Sequence, residues 1–448
     1  MKRLKHIINV TIWSLIGLYV LLLVAIHLPV TQRYLGGVVA DAIGKKLNTE
    51  VTVGRVDLGF FNRIIVDDVK IKDQQGLQMI HANRMTVKIE LLPLLDGTIR
   101  ISSAQLFGLQ GNFYKETAEA TPNYQFALDA LQSKEKKEPS NLDVRINSVI
   151  IRHSSLRYDQ KDAEQTANHF NLNHLYVSDI SAYVKIKALT RDTLDVNIKR
   201  FTCKEQSGLQ IDHLGLHLTA GQKGAQVSGL QLQTPRTQLN IPQLTAVYDK
   251  DRLQESLKFQ GNVSHTTLAP ADFAPLLPTL SSFKGQYALT AAFSGTTKSL
   301  NMQQLSIQSD DNTLSLSATG SYNKEMWHAQ IAHLALSDDV LADVRQAYPE
   351  VPELLVRLGD VTMSGQVDGT PARTDAAVNL KTAIGQIDTQ LSIGQNNRLE
   401  GHLDTEGIDL RQLLQNDHLG ILATQLSVDG TPDDLKADGT ISRFDYND

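Results

Sequence analysis

Tyr287-Ala288-Leu289-Thr290-Ala291-Ala292-Phe293-Ser294-Gly295-Thr296-Thr297 is the stretch whose reading decides the fold. Apolar side chains stand at Tyr287, Leu289, Ala291 and Phe293, every second residue, the period of a strand that buries one face and wets the other. The run then closes on a Gly-Thr turn signal. The pattern returns twice. Val361-Thr362-Met363-Ser364-Gly365 leads into Val367-Asp368-Gly369-Thr370-Pro371, and Leu422-Ala423-Thr424-Gln425-Leu426 leads into Val428-Asp429-Gly430-Thr431-Pro432. Gly295, Gly369 and Gly430 lie 74 and 61 residues apart. Each glycine is expected to supply a positive φ in its turn, and proline to pre-set φ just after it. Helical patterns over 268–280, 338–357 and 410–418 separate the units. A strand-rich unit recurring at this scale predicts an array in which each unit buries its apolar face against its neighbours.

Nearer the N-terminus the period is also two. Val51, Val53 and Val56, then Ile65 to Lys72, then Met85 to Glu90 read as strands. Asp73-Gln74-Gln75-Gly76 and Asp96-Gly97 read as turns, and Pro93 makes Leu91 to Leu95 a corner. Ile99-Arg100-Ile101-Ser102-Ser103-Ala104-Gln105-Leu106 is similar to Val144-Arg145-Ile146-Asn147-Ser148-Val149-Ile150-Ile151, with Val196 to Phe201 a fainter copy. Between the first two copies, a short helix over Tyr124–Gln132 and a charged linker over Ser133–Pro139 interrupt the strands.

The N-terminus has a different character. Lys2, Arg3 and Lys5 precede an apolar run from Ile7 to about Leu28, about 22 residues and long enough to span roughly 30 Å of hydrocarbon. The basic flank predicts a cytoplasmic N-terminus with the remainder on the far side. The run exceeds the usual apolar core of a signal peptide and lacks an A-x-A site, which favours an uncleaved anchor. Leu35, Val38, Val39, Ala42, Ile43 and Leu47 then recur at helical spacing, predicting a short amphipathic helix that either caps the first strands or lies on the membrane surface. The domain reading is an anchor at 1–30, a helix and β region at 31–115, the interruption at 116–141, a second β region at 142–267 and the repeat units at 268–448.

The formal net charge of −6 argues against a nucleic-acid binder. A single cysteine, Cys203, excludes an internal disulfide and a thiolate zinc cluster. No G-x-S-x-G, P-loop or H-E-x-x-H motif is present. His169 and His174 would face opposite ways on a strand, wrong for a shared metal. Asp67-Asp68, Asp310-Asp311, Asp338-Asp339 and Asp433-Asp434 read as turn or cap residues, and Cys203 and Trp327 as packing residues. The expectation is a protein without catalytic residues, metal or cofactor.

Together these features predict a mainly β chain: an elongated, curled, taco-like sheet of repeated strand units, with one N-terminal transmembrane helix and a few short helices. No second set of strands is evident to cover the apolar side. That side is then either an open trough able to solvate acyl chains or a dry core closed by long-range folding. Tyr287, Leu289, Phe293, Leu305, Ile307, Leu314, Leu316, Val361, Met363 and Val367 are the candidate lining residues.

Three features resemble the AsmA-like proteins, and within them the TamB group. They are the single anchor followed by a helix ending in Ile43-Gly44-Lys45-Lys46-Leu47-Asn48, the segments Ile64 to Asp73 and Met85 to Ile99, and the recurring Gly-Thr-Pro unit. The resemblance implies an inner-membrane, single-pass protein whose bulk is periplasmic. It implies an apolar groove carrying phospholipid between inner and outer membranes, or support of outer-membrane protein assembly with a barrel partner. TamB-like chains are longer and meet that partner through a C-terminal domain. This sequence stops at Tyr446-Asn447-Asp448 within a strand-like pattern, as a fragment or a short relative would, so a barrel partner would be met through a C-terminal region outside it. The alternative function is a non-catalytic envelope scaffold that binds proteins by strand addition.

Overall fold

The computed structural model describes residues 2–446 apart from 60–61, 91–98, 133–141, 191 and 432. The expected corner at 91–95, the turn at 96–97, the charged linker and Pro432 lie outside the described residues. The chain is mainly β and divides into two compact units, Met1–Ala188 with Val196–Asp212, and Leu189–Asp195 with His213–Asp448.

Unit one begins with α1 (Lys2–His27), one continuous helix of 26 residues. Most of its described side chains are exposed, with Trp13 at 66% and Leu21 at 66%. Judged on described residues alone, no helix is long and apolar enough to cross a membrane. Pro29 opens α2 (Pro29–Leu47), a position that tolerates its missing N–H, and left-handed Asn48 closes it.

The α2 helix packs on β1 (Val51–Gly59). Its buried residues are Gln32, Gly36 and Ala40, one turn apart. A Cβ on Gly36 would lie 3.2 Å from the Val53 carbonyl oxygen, so glycine allows the close approach. The large apolar residues expected to make this contact flank it instead, and Val38 is half exposed.

After β1 come β2 (Arg63–Lys72), β3 (Gln78–Glu90) and β4 (Ile99–Lys115), an antiparallel series. Asp68 interrupts the alternation in β2. Its φ of 53° is left-handed, a conformation Asp tolerates better than most residues. The phase of the strand slips there. Val66 and Val69, three apart, pair with apolar Met85 and Ala82. Asp67 and Asp68 both take polar partners: Asp67 accepts from Arg55 at 2.7 Å and Arg84 at 2.6 Å, and Asp68 from Lys70 at 3.0 Å. The pair read as turn residues is therefore a mid-strand irregularity with two ion-paired carboxylates.

The β4 strand pairs in parallel with β5 (Leu142–Gln160), which pairs antiparallel with β6 (His174–Leu189). The two similar segments of sequence thus lie side by side: Ser103 faces Ser148, Ala104 faces Val149, and Leu106 faces Ile151. A parallel pair needs a crossover. The interruption at 116–141 makes it and carries α3 (Gln125–Gln132), which touches α2.

Asp73 clasps this crossover. Its carboxylate accepts from the backbone N–H groups of Gln75 and Leu77 at 2.9 Å, the Tyr114 hydroxyl at 2.9 Å and the Asn123 amide at 3.2 Å. Burial raises its pKa, but these donors outweigh burial and hold it below its ordinary value. Burial and Asp73 push the Tyr114 hydroxyl up to about 12.

Unit two contains most of β8 (Gln210–Ala220), then β9 (Gly224–Gln233), β10 (Gln238–Val247), β11 (Lys258–Leu268), β12 (Tyr287–Thr296), β13 (Ser299–Ser309) and β14 (Leu314–Asn323). It continues with β15 (Trp327–Leu336), β16 (Val361–Thr370), β17 (Arg373–Thr382), β18 (Gly385–Ile393), β19 (Leu399–Asp409), β20 (Leu419–Thr431) and β21 (Asp434–Tyr446). Each pairs antiparallel with the next, and among the described residues no pairing closes the series into a barrel.

Its two rims differ. One carries mainly tight hairpins, with a helical turn at 250–256. The other carries 3₁₀ turns at Pro270–Phe273 and Pro278–Ser282, α4 (Asp338–Ala347), and helical turns at Glu353–Val356 and Leu410–Leu414.

The repeated glycines act differently from the expectation. Gly295 and Gly369 are strand residues without positive φ, and only Gly430 has one, at 147°. A Cβ on Gly369 would lie 2.1 Å from the Trp327 ring, and one on Gly295 2.8 Å from the Phe259 ring. An aromatic of the neighbouring strand thus covers each of these two glycines. The threonine that follows caps the hairpin: Thr370 Oγ1 accepts from Arg373 N–H at 3.1 Å, and Thr296 Oγ1 from Lys298 N–H at 3.1 Å.

The Asp73 clasp gives a prediction. A carboxylate held below its unfolded pKa contributes stability that is complete above about pH 4 and is lost as pH falls through the folded value. Tyr114→Phe should cost about 1 kcal/mol at neutral pH and weaken this acid dependence, read by proteolytic cleavage of the 116–132 segment between pH 2 and 7.

Candidate functional site: one apolar sheet face

Directly opposed residues in an antiparallel ladder share a face, so the register fixes what each face of unit two carries. One row crosses seven strands: Leu289, Ile307, Leu316, Leu334, Met363, Leu380 and Ile387. At about 4.8 Å per strand it is roughly 29 Å long. Beside it run Ala291, Leu305, Ala318 and Ile331, and beyond them Phe293, Met302, Gly320, Ala329 and Val367. A further row joins Leu314, Leu336 and Val361. Tyr287 precedes Leu289 by two in β12. The register therefore brings all ten candidate residues to a single face.

Leu334, Leu336, Ile331, Leu380 and Ile387 belong to the same face and were not among the candidates. The alternation of Ile387-Asp388-Thr389-Gln390-Leu391 carried the signal for the last of them. Extra residues in β13 near Gln303 and in β15 near Ala332 shift the register, which a strict count of two does not follow.

The opposite face is polar and cross-linked. His328 meets Asp368 at 2.6 Å, Arg373 meets Asp375 at 2.7 Å, Arg398 meets Asp429 at 2.6 Å, and Gln425 donates to Asp404 at 3.0 Å. Surface pairs of this kind add little stability each. Their placement fixes which side faces water.

No second layer of strands packs on the apolar face among the described residues; the main contacts between strands are with ladder neighbours. The elements that reach this face are the short helices of one rim. Leu358, Val361, Ile384 and Ile408 form a buried cluster there, with Leu341, Leu380, Ile387, Leu410 and Leu413 against it. Ser337 caps α4, and Asp338 and Asp339 occupy its first turn, where the helix dipole favours anions. Tyr287 is buried under this rim, and burial followed by Asp343, Asp311 and Asp310 raises its hydroxyl pKa.

Toward the hairpin rim the same face opens. Leu300 is 39% exposed, Ile393 47% and Tyr322 55%, whereas Val361 and Ile384 are 7% and 3%. Leu289, Phe293, Leu305, Ile307, Leu314, Leu316, Met363 and Val367, between these extremes, are half-buried.

The residues considered for chemistry are dispersed. His169 lies in the loop before β6 and not on a strand. His174 starts β6, with Nδ1 2.5 Å from Asp159 and Nε2 2.9 Å from the Ala163 carbonyl. Cys203 is partly buried in β7 (Leu194–Glu205), and burial raises its thiol pKa. No group of metal-ligating side chains occurs among the described residues.

The AsmA family model matches residues 1–437. The chain belongs to the AsmA family. No curated protein and no solved structure matches this AsmA-family chain.

The exposure gradient can be measured by truncation. Ile384→Ala should lower the stability of unit two by about 2–4 kcal/mol, the usual cost for a buried isoleucine. Ile393→Ala, near the open rim, should cost less than about 1 kcal/mol. Equal shifts in urea midpoint would contradict the gradient.

Proposed function

We propose that this AsmA-family chain is an inner-membrane-anchored periplasmic protein of envelope biogenesis, TamB-like in action, whose unit-two sheet solvates phospholipid acyl chains in transit between membranes. The observation that carries this reading is the uninterrupted apolar row from Leu289 to Ile387, held on one face with no second layer of strands on it among the described residues. An apolar surface of that extent is unfavourable in water unless something apolar lies on it. Each methylene laid against it is stabilised by about 0.8 kcal/mol. The action is passive and non-catalytic: tails exchange one apolar surroundings for another while headgroups stay wet. The same face could shelter outer-membrane proteins during assembly, with a barrel protein as partner.

The anchor is α1. Its 26 residues rise about 39 Å, more than a hydrocarbon core. The run from Ile7 to Leu28 contains no Asp, Glu, Lys or Arg. Exposed Trp13, Leu15, Leu18 and Leu21 suit contact with lipid. The basic flank of Lys2, Arg3 and Lys5 supports a cytoplasmic N-terminus in this reading.

The full-length protein, purified and extracted, should yield bound phospholipid by mass spectrometry. Leu289→Asp and Met363→Asp should each reduce that yield severalfold with the β signature in circular dichroism retained. Ser317→Asp, on the polar face, should leave it unchanged. Lipid-free wild-type protein, or equal lipid in all variants, would overturn the reading. Unfolding of both Asp variants would favour the scaffold alternative.

A further inference from the structure

The two rims of unit two differ in cover and in charge, and this asymmetry assigns an orientation to whatever amphiphile the apolar face holds. At the helical rim the face is sealed: Leu358, Val361, Ile384 and Ile408 are all below 10% exposure. The connections 310–313 and 337–360 on this rim contain eight carboxylates and two arginines. An anionic group brought here meets net repulsion.

The hairpin rim has the opposite character. Apolar Leu300, Tyr322 and Ile393 reach solvent there. Lys298 and Lys324 sit in its turns, and no ion pair holds either among the described residues.

We infer that phospholipid lies across the strands with its phosphate headgroup at the hairpin rim, near Lys298 and Lys324, and its acyl ends toward the helical rim. The geometry fits. A ten-residue strand such as β16 spans about 33 Å, longer than one extended acyl chain plus its glycerol. The helices then act as an end wall, and lipid enters and leaves sideways over the hairpins. This orientation rests on the lipid-solvating reading above.

Two photoreactive phosphatidylglycerols test it on the full-length protein in mixed vesicles, one with a diazirine on the headgroup and one with a diazirine near the acyl terminus. Labelled peptides are mapped by mass spectrometry. The headgroup probe should label the turns at 296–299 and 323–327, and the acyl probe 338–347 and 382–385. Lys298→Glu with Lys324→Glu should cut headgroup labelling at least threefold and leave acyl labelling within twofold. Reversed labelling, or headgroup labelling of both rims alike, would overturn the orientation while keeping the lipid reading. Labelling of unit two by neither probe would overturn both.

Discussion

Side-chain alternation, locked by register, is the constraint on which unit two depends. A slip of one residue between β13 and β14 would carry Leu316 to the polar side and bring Ser315 or Ser317 to the oily one. Every later strand would inherit the error, because each takes its register only from its neighbour. The structure resists slippage in two ways. Threonine-capped hairpins fix the strand ends at Thr296 and Thr370. Cross-strand charge pairs such as His328 with Asp368 hold the polar side in phase. The oily side is selected against slippage only where it is covered, at the helical rim.

That division separates two tasks usually performed by one core. The cluster around Ile384 and Ile408 gives the stability that packing gives any domain. The row through Leu316 and Met363 stays half-buried, outside that cluster. A fully closed core would be more stable and could hold nothing.

Much of this was legible in the sequence, because period-two patterning survives in a sheet wet on one side. The ten candidates fall on one face since β12, β14 and β16 alternate without interruption. The parallel pairing of β4 with β5 was not legible as pairing, although the likeness of Ile99–Leu106 to Val144–Ile151 was visible. Likeness of sequence does not state direction, which comes from the crossover carrying α3. Two of the three repeated glycines, Gly295 and Gly369, were recognised for the wrong reason, whereas Gly430 does have the expected positive φ. Turn propensity suggested positive φ, whereas the aromatic rings of Trp327 and Phe259 require the missing Cβ. The Asp67-Asp68 pair was misread because a left-handed residue inside a strand produces the same two adjacent polar residues as a turn. In α2 the contact with β1 runs through Gly36 and Ala40, which a search for large apolar residues passes over.

The parallel pair has a consequence for how the chain acquires its structure. In unit two each strand joins the one just before it, so the loops to be closed are mostly short and their entropic cost small. Strands can add one at a time, in whatever order they emerge. The β4–β5 ladder is different: Ile99 must find Leu142, more than forty positions away, across a helix and a charged stretch. Unit one, which includes the N-terminal helix, therefore contains a slow kind of assembly step, and the consecutive hairpins of unit two a faster one.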